Sequence, residues 1–244
     1  MIKNNIDINM ILRSHIIAAC SVSIFIFCFI AGWWVIAGLV PPLSPSASAE
    51  QVAAFYQQNQ LRIQLGLALA MSSVAYIIPM ASSLGYQIRR IEGGKPMLAN
   101  AQLACATVTV AVVTVALIIW SVAAYRPDRP IEITYLLNDL AWIGFTMPVS
   151  GIVVWMLCVG AGILSDKAAE PIFPRWTGFL SLFCATLTLP GFPVVIFQNG
   201  PFAWNGLFAF WIALTAAIVW MIIMSVLTIR AAINESKLNV LVQN

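Results

Sequence analysis

The sequence predicts an all-α polytopic membrane protein: six transmembrane helices in one bundle, both termini cytoplasmic, and a short helix in the first outer loop. Three observations lead there. Hydrophobic residues fill 61% of the 244 positions and charged residues 9%, too little polarity to coat a water-facing surface. The mean hydropathy is +0.92, and uncharged stretches longer than the ~18 residues of a membrane crossing recur along the chain. The 12 Lys and Arg and the 9 Asp and Glu all lie between those stretches. Lipid offers backbone N–H and C=O groups no partner, so the crossings must be helical. Residues 1–244 then form a single transmembrane domain, which excludes a soluble enzyme, a disordered tail and a disulfide-rich secreted module.

The first apolar window is 16–40. With Lys3, Arg13 and Ala47-Ser48-Ala49 it imitates a signal peptide, but its length of about 25 residues exceeds a signal core of ~7 to 15, so it reads as a retained anchor. Pro41-Pro42-Leu43-Ser44-Pro45 ends it. Ser48 and Gln51 then have the spacing of a capping box and lead into Val52-Ala53-Ala54-Phe55-Tyr56, a short helix lying on the outer surface or extending the next span. The second window, 63–88, carries Gly66 and Ala70 at the spacing of close helix contact. Gly93-Gly94-Lys95-Pro96 separates it from the third, 99–124. Arg126-Pro127-Asp128-Arg129-Pro130 breaks the chain before the fourth, 141–165. The fifth and sixth, 176–198 and 203–229, are joined through Asn199-Gly200-Pro201, a turn tight enough to make them antiparallel neighbours.

Cations set the orientation, because Lys and Arg stay on the cytoplasmic side. With the N-terminus inside, Lys3, Arg13, Arg89, Arg90, Lys95, Lys167, Arg175, Arg230 and Lys237 face the cytoplasm, whereas Arg62, Arg126 and Arg129 face outward. The same inner cations can meet anionic membrane lipids. A net charge of +3 without a basic run gives no footprint for a nucleic acid. Trp33, Trp34, Trp120, Trp142 and Trp204 gather near the outer boundary and Trp176 near the inner one, the placement of interfacial belts. Trp155, Trp211 and Trp220 sit deeper, as packing residues or as an aromatic wall for a hydrophobic ligand. All five cysteines lie in apolar stretches without Cys-x-x-Cys spacing and read as small packing residues.

Buried charged side chains mark proton relays and ion pathways, and the six windows hold no Asp, Glu, Lys, Arg or His. His15 is the one histidine, so bis-His haem and multi-histidine metal sites are out of reach, and no metal or cofactor is expected. Two constellations remain. At the outer mouth of the fourth span, Asn138, Asp139 and Trp142 form a candidate polar site. There Asp139 either meets a cation or polar substrate, or pairs with Arg126 or Arg129. Helix breaks supply the second: Pro79 with Ser82 and Ser83, Pro148 with Ser150, and Pro190, Gly191 and Pro193. If the chain were two inverted three-helix halves, Pro79 and Pro190 would interrupt equivalent middle helices, an arrangement that lines midplane sites in transporters. The nearby hydroxyls, including Thr186 and Thr188, could instead satisfy carbonyls freed by the breaks.

From Asp139 with Ala141-Trp142, through Phe173-Pro174-Arg175-Trp176, to Gly200-Pro201-Phe202-Ala203-Trp204-Asn205-Gly206 and Phe208, the last third resembles a group of small bacterial integral membrane proteins. The resemblance implies six helices in a bacterial inner membrane and brings no substrate or catalytic residue with it. The first functional expectation is therefore a non-catalytic membrane protein. It would be an accessory or scaffold subunit of a membrane complex, partnered by another membrane protein or by its own copies, or a binder of a lipophilic small molecule. A secondary carrier for a neutral or apolar solute is the alternative, and a lipid-modifying enzyme using Asp139 as its acid is the third reading.

Overall fold

The computed structural model describes residues 2–126 and 128–243, with side chains described from 12–126, 128–238 and at Met10. Pro127 and the Lys3 side chain lie outside that description. The described chain is helical throughout, without strands. Its α-helices are α1 (Ile2–Phe29), α2 (Ala49–Gln58), α3 (Gln60–Ser73), α4 (Ile77–Glu92), α5 (Met97–Tyr125), α6 (Ile131–Thr146), α7 (Ser150–Leu164), α8 (Arg175–Thr188) and α9 (Ala213–Gln243). They assemble into six spans of 22 to 34 residues: Leu12–Ile36, Gln60–Glu92, Met97–Tyr125, Ile131–Leu164, Arg175–Ile196 and Leu207–Leu238. This is the architecture of a multi-pass membrane protein.

Several helices overrun the uncharged windows and carry charged residues on their ends. At about 1.5 Å per residue the longest span reaches about 50 Å, whereas the hydrocarbon layer is ~30 Å. Arg62 and Asp139 therefore ride on helical overhangs at the end of the bundle opposite the termini, where the chain stays helical after leaving the apolar region.

The spans form a ring in chain order. Each packs against its sequence neighbour, and α1 returns against α9 to close the circle. Short polar connections are held by specific caps. Ser48 and Gln51 exchange both bonds of a capping box: the Gln51 N–H donates to Ser48 Oγ at 3.3 Å and the Ser48 N–H to Gln51 Oε1 at 3.0 Å. The resulting α2 runs through Asn59 into α3 and lies over α6. Glu92 accepts from the N–H groups of Leu98 and Ala99, at 2.7 and 2.8 Å, placing a carboxylate on the positive end of α5. At the other end of α5, Gln64 and Arg129 donate to the carbonyls of Ala124 and Val122, at 3.0 Å each. The exposed ends are thus satisfied before the backbone enters lipid.

Glycine sets the closest approach. Gly32 of the first span lies on Gly66 of the second, so that a Cβ on either would strike the other's carbonyl oxygen, and one on Gly32 would also stand 2.8 Å from the Ala70 nitrogen. The Gly66–Ala70 pair therefore works within this chain. The Asn199-Gly200-Pro201 connection turns with Gly200 at a φ of +84° and leaves α8 beside α9, as its sequence predicts.

One expectation is corrected. Trp33, Trp120 and Trp142 are buried in the bundle, each 1% exposed or less, and do not form an interfacial belt. The end of the ring opposite the termini is roofed by α2 and by the segment carrying Trp204, whose indole N–H donates to the Leu43 carbonyl at 2.8 Å, so aromatic residues at that level face inward. Trp34 and Trp176 do stand at the perimeter.

Gly32→Ala or Gly66→Ala is expected to destabilise the fold by about 1–3 kcal/mol, because the new methyl meets backbone that cannot yield. Gly144→Ala, where a Cβ meets nothing within 4 Å, should leave the midpoint unchanged or raise it. Thermal unfolding in mild detergent measures both.

Candidate functional site

Five of the six spans depart from regular α-helix, and only α5 passes uninterrupted. Pro148 separates α6 from α7. It has no N–H for the Gly144 carbonyl, and the Val149 N–H turns to Met147 O at 2.8 Å, away from its usual partner on Phe145. The fifth span tightens into the 3₁₀ segment Leu189–Ile196, which contains Pro190, Gly191 and Pro193. The second does so over Val74–Tyr76, one turn ahead of Pro79. The first and sixth widen into π-helix over Ile30–Ile36 and Leu207–Ile212. These π segments contain no proline, and sequence reading missed them.

The breaks of the second, fourth and fifth spans are each met by a neighbour. Ser21 of the first span donates to the Tyr76 carbonyl at 2.6 Å. Gly191 fits so closely against the fourth span that a Cβ there would strike the Thr146 carbonyl and stand 2.7 Å from Val149. The breaks of the fourth and fifth spans thus interlock, bringing Pro148 and the Pro190–Pro193 segment together.

Within the ring lies a half-open cavity of about 120 Å³ with walls from all six spans: Phe29 and Ile30, Ile77, Val113, Phe145 and Pro148, Thr188, and Ala213, Ala217 and Met221. Ile77 and Thr188 stand beside the breaks of their spans, while Pro79 and Pro190 do not themselves reach the wall. The three threonines present there turn their hydroxyls back into their own helices. Thr109 donates to Cys105 O at 2.9 Å, Thr146 to Trp142 O at 2.6 Å, and Thr188 to Ala185 O at 2.8 Å. The wall therefore offers a guest contact with carbon and little else. A cavity near 150 Å³ lined by apolar side chains stays dry and admits a benzene-sized guest.

Two aromatic layers bound this space. Toward the end opposite the termini, Trp120 and Trp142 meet edge to face at 4.8 Å, and Trp33 packs on Phe145 at 5.1 Å. The Trp33 and Trp120 indole N–H groups have no hydrogen-bond acceptor. Toward the termini, Trp155 and Trp220 meet at 5.1 Å, and both indoles are anchored. Trp155 Nε1 donates to Gln102 Oε1 at 2.8 Å, and Trp220 Nε1 donates to Ser181 Oγ at 2.9 Å. The buried Gln102 amide donates in turn to the carbonyls of Ala81 and Ala99, at 3.0 and 3.1 Å, so its hydrogen-bonding capacity is used. A lone glutamine inside the third apolar window is the signal that could have located this layer.

Beyond it, near the termini, a polar clasp ties the first, second and sixth spans. Ser83 donates to the His15 carbonyl at 3.2 Å, with His15 Nδ1 at 3.1 Å from its hydroxyl. Arg90 pairs with Glu235 at 3.2 Å, and Tyr86 donates to the same carboxylate at 2.9 Å. Ser83 thus belongs to the clasp, while Ser82 donates to the Ile78 carbonyl at 2.9 Å on the exposed side and Ser150 opens α7 in an exposed position.

The outer polar residues divide. Asn138 is buried and accepts from the Tyr56 hydroxyl at 3.2 Å, which docks α2 onto α6, while Trp142 joins the aromatic layer. Asp139 makes no ion pair with Arg126 or Arg129: Arg129 is spent on the Val122 carbonyl and Arg126 lies over the Tyr125 ring. One Asp139 oxygen is buried without a hydrogen-bond partner. Burial first, and then the charge of Asp139, push the Tyr56 phenol well above its usual range.

Gln102→Leu should cost about 1–3 kcal/mol by stranding the Trp155 N–H in the interior, read as a lower unfolding temperature. Tyr56 stays neutral in the folded protein while the unfolded chain ionises it near pH ~10, so its contribution is complete below that pH and declines above it. The unfolding midpoint should therefore fall more steeply above pH ~10 in the native protein than in Tyr56→Phe. Comparisons with protein-family models, curated proteins and solved structures return no match to this chain.

Proposed function

We propose that this chain is a non-catalytic membrane protein that binds a lipophilic small molecule within its bundle. Its location on this reading is a bacterial inner membrane, with both termini in the cytoplasm. The observation that carries the proposal is the apolar cavity to which all six spans contribute, with Ile77, Pro148 and Thr188 of its wall beside the breaks of the second, fourth and fifth spans. A natural core closes such a space, because each missing contact costs packing energy. Departures from α geometry concentrate at functional sites. Binding there would draw on apolar burial, at about 25 cal/mol per Å², with shape in place of hydrogen bonds as the basis of selection.

The breaks beside Ile77 and Thr188 favour a second reading, in which the bound molecule is carried across the membrane as the broken spans rearrange. The lipid-modifying reading gains nothing comparable: Asp139 sits on the outer overhang and is not part of the cavity wall.

Native mass spectrometry of the purified protein should find a retained lipophile in the native chain and lose it in Ala217→Phe, which fills the cavity from the sixth span. Equal retention by the two proteins, at matched unfolding temperature, would place the ligand elsewhere. No retained lipophile in the native chain, and no binding of an added apolar fluorescent probe, would refute the reading.

A further inference from the structure

Ile26 and Ile30 of the first span line the internal cavity. They also line a groove on the outside of the same helix, shared with Ser23, Phe27, Val35 and Ile222 of the sixth span. At this point the partition between interior and bilayer is one layer of side chains, two isoleucines thick along the helix. The groove faces hydrocarbon: Phe27 is 73% and Val35 64% exposed on the bundle surface. Along the bundle axis the cavity is bounded by the Trp33–Trp120–Trp142 layer on one side and by the Trp155–Trp220 layer and the His15–Arg90–Glu235 clasp on the side of the termini.

The partition also sits at a structural discontinuity. Ile30 is the first residue of the π-helical segment, where the backbone ladder changes register and the side chains lose regular α spacing. The helix opposite is α9, which closes the ring against α1 without a chain connection between them. The seam between the first and last spans can therefore part without straining a loop.

We propose that this seam is a lateral portal, and that the acyl chain of a bilayer phospholipid enters the cavity between the first and sixth spans by displacing Ile26 and Ile30. The inference rests on the lipophile-binding reading and names its ligand class and route. The occupant follows from chemistry on both sides of the partition. The groove is bathed in acyl chains, the cavity wall has its threonine hydroxyls engaged, and a chain that leaves its headgroup at the interface needs to bury only hydrocarbon at this depth.

The test reconstitutes the full chain in phosphatidylethanolamine–phosphatidylglycerol vesicles doped with a phosphatidylethanolamine that carries a diazirine at mid-chain. After irradiation, labelled residues are mapped by mass spectrometry. Labelling is expected on the interior residues Val113, Ala213 and Ala217 as well as on groove residues. It should rise severalfold at the interior positions in Ile30→Ala and Ile26→Ala, which thin the partition, and fall severalfold in Ile30→Trp. Interior labelling that stays constant across these variants, each with a native unfolding temperature, overturns the portal while leaving the cavity reading intact. Labelling confined to the groove in every variant, when native mass spectrometry still finds a retained lipophile, overturns the acyl-chain assignment. Absence of both label and lipophile removes the underlying reading.

Discussion

A backbone inside a bilayer has nowhere to send its hydrogen bonds except to itself, and the arrangement of this protein follows from that constraint. A regular helix meets it alone. A broken helix does not: the gap before Pro148 frees the Gly144 carbonyl, and similar debts arise at the 3₁₀ and π segments of four other spans. Such groups must be turned into protein. The ring does this by seating irregular segments against neighbouring spans: Ser21 reaches the Tyr76 carbonyl and Gly191 seats itself on the Thr146 carbonyl. One uninterrupted helix, α5, passes beside them as a straight support.

Irregular segments have a packing consequence. Regular helices interlock through evenly spaced side chains, and segments that change register cannot do so as closely. A gap persists between two well-ordered layers, one of stacked indoles and phenyl rings and the other of indoles pinned by Gln102 and Ser181. These layers hold the space open while the glycine contacts hold the ring shut. The cavity thus arises from the same geometry that solves the backbone problem, and its apolar wall reflects threonines spent on their own helices.

Much of this was legible in the residues. Charge-free windows gave six spans, Ser48 and Gln51 announced a capped helix that forms with both bonds in place, and Gly66 with Ala70 marked a close helix contact. Prolines stand in or beside the irregular segments of the second, fourth and fifth spans. Less was legible where two helices must be known together. The π segments have no breaker residue, and Trp33, Trp120 and Trp142 carry the same pattern whether they face headgroups or one another. Asp139 next to Arg126 and Arg129 suggests an ion pair by proximity, yet Arg129 is drawn to a helix-end carbonyl whose need is local and stronger.

The amino-acid order by itself determined that the chain is helical, membrane-spanning and six times across, because transfer of apolar side chains and satisfaction of the backbone are additive along a segment and need no knowledge of its neighbours. Which breaks touch, which tryptophans turn inward, and whether the bundle closes on a solid core or on a space were decided only in three dimensions. Those are properties of pairs and layers of helices. The rotation of each helix about its own axis, fixed by contacts such as Gly32 on Gly66 and Trp155 on Gln102, selects among arrangements that a single span's hydropathy cannot tell apart.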